Sequence, residues 1–405
     1  MKKQILVLLF ALLSIGAGAI TIDNTHPFPA TLIAGEKYEV LAGTIIKLNY
    51  TVNATNCKIY KVGIGANPII SNTAVNGFVF TKCQITNIDF NNSFAGFGIE
   101  LNASSLIGGH YNGGYTGIVI TGNCLIKDFE LTGFGVDGIR RFTGALIDSV
   151  TIQNGLIHKA NTQDGQNCET NGSLDNIHLE AIRNLLIDNI ISDHSQYPGK
   201  FALIIADNVN VVIKNSTFFG WSYNTNDGRC IYIKPNNQNI NFTNCNIIGG
   251  DWGVENNGNP IFTNCTFKGQ KSYAVFQGLN KKFINCKFID IGRGAIVNDA
   301  ACIRSWANTT TVTNCKFYNC VKKYTGNGFV ENGSQVFTTT LDTLASIRAT
   351  PPIPNYKDST FRYKAQADSF IIYRGVMQNI VIKGLKNTYQ TKTSILTQIT
   401  KVIKY

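Results

Sequence analysis

Residues 242–247 read FTNCNI, and the same frame returns as FTNCTF at 262–267, FINCKF at 283–288 and VTNCKF at 312–317. Each segment has an apolar residue three positions before its cysteine and another two positions after it. A straight strand alternates its faces, so these three positions point the same way only if the chain bends at the asparagine. Asparagine tolerates the left-handed backbone of such a bend. The frame therefore predicts a corner between two short strands.

The same bend recurs along most of the chain. Six earlier positions fit the frame: Asn87, Gly108, Asp128, Ser149, Asn189 and Asn215. The steps between successive bends are 21, 20, 21, 40, 26, 29, 20, 21 and 29 residues. A sustained period near 20 residues predicts a solenoid, in which each unit buries its apolar face against its neighbours.

The segments between bends predict strands. Runs such as Ile118-Val119-Ile120 and Ile231-Tyr232-Ile233 alternate with period 2, and no helical stripe interrupts them. We therefore expect an all-β fold, a parallel β-helix of about ten coils. At about 4.8 Å per coil the rod would be about 50 Å long. An antiparallel sandwich is the alternative, but it would show hairpin turns at shorter spacing.

From Asn87 to Asn314, the bend residue followed by a stacked inward residue resembles the right-handed parallel β-helix superfamily, the pectate-lyase-like fold. The resemblance covers roughly residues 35–330 and matches no diagnostic motif of a single enzyme family. It implies a hydrogen-bonded ladder of bend asparagines and an interior in which like residues stack. It also implies a polysaccharide groove along one sheet, although this scaffold carries several chemistries.

The ends of the chain differ from the repeats. Lys2 and Lys3, an apolar run and small residues up to Ala19 predict a bacterial signal peptide over residues 1–19, cleaved after Ala19. A secreted or periplasmic protein follows. Residues 20–35 are expected to cap the first coil, 36–333 to form the β-helix and 334–405 to form a small β-rich appendage.

Composition limits the partners. The formal net charge is +11, yet charged residues make up 15% of the chain and no basic run is interleaved with aromatics. We expect an anionic polysaccharide as partner, no nucleic acid and no membrane span. The oligomeric state stays open.

The 11 cysteines have two interpretations. Disulfides are usual in exported proteins. The repeat instead places Cys245, Cys265, Cys286 and Cys315 in one inward slot of successive coils, where cysteine acts as a small apolar residue. This stack is favoured, and a pair between Cys315 and Cys320 stays open.

The long steps indicate loops. Residues 154–175, 193–200 and 220–229 each precede the first strand of a coil, so they are expected on one side of the rod, walling a groove. The strands beside them supply its floor. Because Ile177 and Leu179 face inward, His178 and Glu180 should face outward together.

We expect four catalytic residues at this groove: His178, Glu180, Lys200 and Arg229. Elimination from a uronic acid needs a cation for the carboxylate, a base for the α-proton and an acid for the leaving oxygen. The cations would neutralise the carboxylate, and His178 or Tyr232 would serve as base or acid. The resemblance implies calcium as a possible cofactor, held by Glu180 or Asp227.

The same parity and the loops predict six substrate-binding residues: Arg140, Tyr232, Lys234, Glu255, Trp221 and Tyr223. Asp251 is also expected to face outward. By contrast His110, His158 and His194 are expected to be ordinary surface residues.

The favoured function is a polysaccharide lyase acting on a uronate-containing polymer. A non-catalytic glycan-binding or surface structural protein is the alternative. A glycoside hydrolase is less favoured, because it needs a carboxylate pair for which only Glu180 with Glu255 or Asp251 is available.

Overall fold

The computed structural model describes residues 19–92, 96–158, 175–195, 201–221, 228–278, 280–293, 299–305 and 309–337. Within these ranges the chain forms strands and no helix, and every strand pairing is parallel. The fold is a parallel β-solenoid of about 11 turns, close to the predicted ten. The expected parallel β-helix is therefore confirmed.

The strands are short and evenly distributed. In the first half of the rod they are β1 (Ile20–Ile22), β2 (Lys37–Leu41), β3 (Ile45–Leu48), β4 (Val52–Thr55), β5 (Lys58–Val62), β6 (Ile69–Asn72), β7 (Phe78–Thr81), β8 (Gln84–Thr86), β9 (Asp89–Asn92), β10 (Phe97–Asn102), β11 (Ser105–Asn112), β12 (Thr116–Ile120), β13 (Cys124–Thr132), β14 (Asp137–Arg141), β15 (Ile147–His158), β16 (Asp175–Glu180) and β17 (Ile182–Asp193). In the second half they are β18 (Leu203–Ala206), β19 (Asn210–Lys214), β20 (Thr217–Gly220), β21 (Arg229–Ile233), β22 (Ile240–Thr243), β23 (Asn246–Gly249), β24 (Trp252–Asn256), β25 (Ile261–Thr263), β26 (Thr266–Lys268), β27 (Tyr273–Phe276), β28 (Lys282–Ile284), β29 (Lys287–Ile289), β30 (Ala301–Ser305), β31 (Thr310–Thr313), β32 (Lys316–Tyr318), β33 (Tyr324–Gly326), β34 (Phe329–Asn332) and β35 (Gln335–Phe337).

Two sheets wrap around the interior. One strand of each coil belongs to a 12-stranded sheet, here called the 12-strand face: β4, β7, β10, β12, β14, β16, β18, β21, β24, β27, β30 and β33. The other 23 strands form a second sheet, which turns a corner within each coil. In the middle of the rod β11, β13, β15 and β17 run through that corner without interruption.

The corner is made by the predicted bend residues. Asn87, Asp128, Asn244 and Asn314 have φ angles of 57°, 56°, 55° and 51°, in the left-handed region. The prediction of Ser149 is wrong: the bend of that coil is Asn154, with φ 51°. Lys127 and Phe129, on either side of Asp128, pair with Gln153 and Gly155. Ser149 instead lies in the extended part of β15.

The bend side chains form the ladder that the resemblance implied. Asn154 Nδ2 donates to Asp128 Oδ1 at 2.7 Å, 26 residues earlier. Asn189 donates to Asn154 at 2.9 Å, 35 residues on. The ladder shifts at the next coil, where Asn215 donates to Asp188 rather than to Asn189, and it resumes from Asn244 to Asn215 at 3.2 Å.

Like residues stack inside the rod. Phe262 lies between Phe242 and Phe283, with ring centroids 4.9 and 5.2 Å apart. A second row joins Phe267, Phe288 and Phe317 at 5.0 and 4.8 Å. The four stacked cysteines are fully buried and free, and the described cysteines form no disulfide. The inward stack of thiols is confirmed.

The predicted boundaries stay predictions. Parallel pairing extends to β1, which joins β2, and Phe28 and Leu32 of the expected cap are buried. The signal peptide up to residue 18 and the appendage from residue 338 lie outside the described residues. Among the described residues, no helix has the length and hydropathy that crossing a bilayer requires.

Shortening one interior phenylalanine tests the stacking. Phe262→Ala removes a fully buried ring that contacts rings in both neighbouring coils. We expect a loss of about 3–5 kcal/mol in the free energy of unfolding, measured by urea denaturation. Val212→Ala, at a side chain 40% exposed on the outside of the rod, is the control and should change it by less than about 0.5 kcal/mol. Equal losses of stability in the two variants would contradict the inward stacking of Phe262 between neighbouring coils.

Candidate functional site

The outer side of the 12-strand face brings four of the ten predicted site residues into one row. In register along neighbouring strands lie Arg140, His178, Ile204, Tyr232 and Glu255. Their inward neighbours, including Ile177, Leu179, Ile231 and Ile233, are fully buried. The predicted orientation of these side chains is therefore observed, while their roles remain predictions.

Three predicted site residues on this face form a hydrogen-bonded group, here called the His178 cluster: His178, Glu180 and Lys234. His178 Nε2 lies 2.7 Å from Glu180 Oε1, and Lys234 Nζ donates to the same oxygen at 2.9 Å. Lys234 Nζ also lies 3.3 Å from His178 Nε2. Ala206 occupies the coil between Glu180 and Lys234, and its small side chain lets the lysine reach across.

The surroundings of Glu180 favour its charged form. Burial alone would raise the pKa of this carboxyl, but the hydrogen bonds from Lys234 and His178 lower it below its usual value. Glu180 and His178 are each only 6% exposed. The cluster is thus a largely desolvated charge network, in which each interaction is stronger than it would be in water.

Beside the cluster lie two buried carboxylates that sequence reasoning missed. Asp137 and Asp175 are in register on β14 and β16, and neither has solvent exposure. Asp175 Oδ2 lies 3.4 Å from His178 Nδ1, and Arg140 Nη1 contacts Asp137 Oδ2. Burial and the nearby Asp175 raise the pKa of Asp137 to about 6, although Arg140 opposes this.

These carboxylates were missed because the strands of this face do not alternate strictly. Asn176 and Ile177 are consecutive and both fully buried. Asp175 and His178, on either side of the pair, therefore approach each other on the outer side. The signal was in the sequence: a small or short residue precedes the inward aliphatic residue in coil after coil, as in Gly138-Ile139, Asn176-Ile177, Ala202-Leu203, Cys230-Ile231 and Gly253-Val254.

The strand that begins with Arg229 also departs from strict alternation, and this places the Arg229 side chain on the outer side of the face. Its Nε lies 2.6 Å from Glu255 Oε2, and its guanidinium lies over the rings of Trp252 and Phe201, 4.6 and 5.8 Å from their centroids. Phe201 in turn stacks on Tyr232 at 5.3 Å. Arg229 therefore lies beside Tyr232 on the outer side.

Aromatic rings extend this surface away from the His178 cluster. Trp252 stacks on Phe276 with centroids 4.0 Å apart, and the guanidinium of Arg304 lies 5.1 Å from the Phe276 centroid. Arg304 also donates to the Tyr273 hydroxyl at 3.0 Å. Sequence reasoning did not select these residues. We call Arg229, Trp252, Phe276, Tyr273 and Arg304 the Arg229–Arg304 strip. Phe276 and Tyr273 are buried, so the groups that the strip offers to a ligand are Trp252 and the two arginines.

The structure leaves the remaining predicted residues untested as members of this site. Lys200, Tyr223 and Asp227 lie outside the described residues. Trp221 is half-buried, and its backbone carbonyl lies where a side chain on Gly228 would clash. The loops expected over residues 154–175 begin later than predicted, because β15 continues to His158.

Two expected surface residues are buried. Asp251 is 1% exposed because its carboxylate accepts the backbone N–H of Gly228 at 3.1 Å and closes a corner of the coil. His194 is 1% exposed, and its Nδ1 lies 3.0 Å from Asn176 Oδ1. Both expectations were wrong, and Asp251 is not available as a partner of Glu180 in hydrolysis.

Among the described residues, the side chains that could bind a metal ion are poorly suited to the expected calcium. The group of potential ligands there is Asp137, Asp175 and His178, whose donor atoms lie within 4.8 Å of one another. Calcium prefers about 6–8 oxygen ligands, and a histidine nitrogen is not among them. Glu180, one of the two residues expected to hold calcium, is already bonded to His178 and Lys234.

No protein-family model and no curated protein sequence matches the chain. Solved structures similar to it include the periplasmic alginate epimerase AlgG, at 10% identity and a TM-score of 0.41, over 79% of this chain and 83% of that one. The pectate lyase Pel9A is 12% identical, with a TM-score of 0.29 and 81% of each chain covered. The ORF18 protein of Geobacillus virus E2 is 11% identical at a TM-score of 0.33, and the match spans 74% of this chain but 54% of that protein. Likeness at this level says nothing about activity.

The burial of His194 predicts a pH dependence of stability. Burial lowers the pKa of His194 from 6.5 to about 4, although Asp175 and Asp193 oppose the shift. Between these values the unfolded chain takes up a proton that folded His194 does not, so the free energy of unfolding falls as the pH falls. Above pH 6.5 this contribution is fully retained. We expect a loss of about 3 kcal/mol across the window.

The measurement is urea denaturation between pH 4 and 7 on the parent, His194→Gln and His110→Gln. Other groups titrate in the same pH range, so the contribution of His194 is read from the difference between the stability curves of the variant and the parent. The curve of His194→Gln should be flatter than that of the parent, whereas His110→Gln, at a side chain 41% exposed, should run parallel to the parent. Parallel curves for all three proteins would contradict the burial of His194.

Proposed function

We propose that the chain is a secreted or periplasmic carbohydrate-active protein that binds an acidic polysaccharide on the 12-strand face and cleaves it by β-elimination. One observation carries the proposal: Arg229 and Lys234 lie on either side of Tyr232 on one outer surface, and the His178 cluster adjoins them. The export rests on the predicted signal peptide.

The arrangement supplies the roles that elimination needs. Lys234 and Arg229 are 32% and 19% exposed, so both can meet a uronate carboxylate and stabilise the charge that develops on it. Tyr232 has a hydroxyl that can exchange a proton with the substrate or the leaving oxygen. His178 is the second group able to do so. Lys200 remains a predicted member of this set.

The cations are held in place before substrate arrives. Arg229 is fixed by Glu255 and stacked rings, and Lys234 by Glu180. Such preorganised charges need little rearrangement in the transition state. Trp252 of the Arg229–Arg304 strip, which is partly exposed, would hold a further sugar ring, because aromatic faces stack on the apolar faces of sugars.

A non-catalytic glycan-binding protein is the second candidate. It is favoured by the pairing of both cations with carboxylates and by the 6% exposure of His178 and Glu180. Hydrolysis is less favoured, since Glu180 and Glu255 are each engaged by a cation.

The test is a panel of uronate polymers assayed for the absorbance of unsaturated products. On a substrate that the parent degrades, Tyr232→Phe removes one hydroxyl but keeps the ring that stacks on Phe201. We expect it to lower kcat by about two orders of magnitude with little change in Tm. Lys234→Ala should lower kcat/KM by a similar factor because it removes a cation from the carboxylate site.

Lys214→Ala is the matched control, since Lys214 is a 40% exposed lysine paired with Asp188 on the other sheet. It should keep parental activity. Full activity of both Tyr232→Phe and Lys234→Ala would show that the site is elsewhere. Binding of a polymer without any unsaturated product would replace the lyase by the glycan-binding protein.

A further inference from the structure

Beside the His178 cluster lies a group of possible metal ligands: the carboxylates of Asp137 and Asp175, which the proposed chemistry does not use, and Nδ1 of His178. Asp137 and Asp175 lie on adjacent strands, with their Cα atoms in register. His178 follows Asp175 by three residues and turns its Nδ1 toward it. The three donor atoms lie within 4.8 Å of one another. Two carboxylates and an imidazole are a common donor set for zinc and related ions.

Several buried oxygen and nitrogen atoms of this group have no hydrogen-bond partner within the part of the chain that the structure describes. Among the described residues, no hydrogen-bond partner is found for Asp137 Oδ1, either oxygen of Asp175 or His178 Nδ1. Asp175 and Asp137 have no exposed surface, and His178 is 6% exposed. An unsatisfied carboxylate in the interior is costly, so these atoms need a bound partner.

The spacing fits a metal better than a hydrogen bond. His178 Nδ1 and Asp175 Oδ2 are 3.4 Å apart, too long for a charge-assisted hydrogen bond of about 2.7–2.9 Å. In a tetrahedral site with bonds of about 2.0–2.2 Å, neighbouring ligand atoms lie about 3.3–3.5 Å apart. The separation of this one pair is therefore that of two ligands on one ion, and the third ligand atom lies within 4.8 Å of both.

The outer contacts of these residues match those of metal ligands. A histidine that binds a metal usually donates its other ring N–H to a carboxylate, and this hydrogen bond fixes the ring orientation and the tautomer. His178 Nε2 contacts Glu180 Oε1 at 2.7 Å, and Lys234 holds the same oxygen. Arg140 contacts Asp137 through Oδ2 and leaves Oδ1 free of that bond.

We infer that Asp137, Asp175 and His178 form a binding site for a divalent transition-metal ion of the zinc class. Coordination occupies Nδ1 of His178 and leaves the bonds at Nε2 in place. It also leaves Tyr232 as the group for proton transfer in the proposed function. The metal site itself does not depend on that function, because it is tested by binding rather than by activity.

The experiment uses the full chain, stripped with a chelator and equilibrated separately with Zn²⁺, Mn²⁺ and Ca²⁺. Metal content per chain is measured after gel filtration, and affinity by competition with a chromophoric chelator. We expect about one equivalent of Zn²⁺ per chain. Co²⁺ in its place should give the intense visible bands of a tetrahedral site, a readout that needs no variant.

Asp175→Asn should weaken Zn²⁺ binding about 100-fold or more, since it removes a charged ligand at constant shape. Glu180→Gln leaves all three ligands in place and changes the partner that His178 and Lys234 share. A weakening of about 10–100-fold is expected and remains measurable if Asp175→Asn does not fold. His158→Gln is the control, because His158 also pairs with a carboxylate, Glu130, at 2.6 Å on the other sheet. It should keep the parental affinity.

Three results would overturn the inference. The first is a parent that retains no transition metal or retains only Ca²⁺. The second is an octahedral cobalt spectrum. The third is Zn²⁺ affinity that is unchanged in both Asp175→Asn and Glu180→Gln.

Discussion

Each coil of this protein buries its apolar side chains against one another and against the coils above and below it. The stacking of Phe262 between Phe242 and Phe283 shows this constraint directly. Because a ring must meet the same kind of ring one strand spacing away, the register of neighbouring coils is fixed. The bend asparagines reinforce the register from outside, since the amides of Asn154, Asn189 and Asn244 each bond to the bend residue of the coil before.

A fixed register also fixes which outward side chains meet. Lys234 and Glu180 are 54 residues apart in sequence, yet they lie two coils apart in space and share a hydrogen bond. The coil between them contributes Ala206, which leaves room for the lysine. Asp137 and Asp175 are likewise brought together only because their coils are adjacent. The stability of the interior thus positions charged groups that would repel each other or be solvated on an isolated strand.

The sequence predicted the fold well because the fold is periodic. The asparagine–cysteine frame identified nine of the ten bend positions, and it failed at Ser149 because that coil contains extra residues before its bend at Asn154. Period-2 parity also oriented His178, Glu180 and Tyr232 correctly. These successes depend on local patterns that repeat in every coil.

The candidate site was predicted only in part, since parity fails on the 12-strand face. Consecutive inward residues such as Asn176 and Ile177 bring Asp175 to the outer side, where simple alternation would not place it. The burial of Asp251 and His194 could not be predicted from the local pattern either. Both are polar, yet each is buried through a hydrogen bond to another part of the chain, Asp251 with the backbone N–H of Gly228 and His194 with the side chain of Asn176. Such contacts depend on the coil beside them, which the local sequence does not reveal.

We propose that acidic sugars bind on the outer side of the 12-strand face, next to the His178 cluster. The most direct test is a crystal structure of the protein with a uronate oligosaccharide. We expect a sugar carboxylate in hydrogen-bond contact with Lys234 or Arg229 and sugar rings along Tyr232 and Trp252. An oligosaccharide bound only on the 23-stranded sheet, away from these residues, would contradict it.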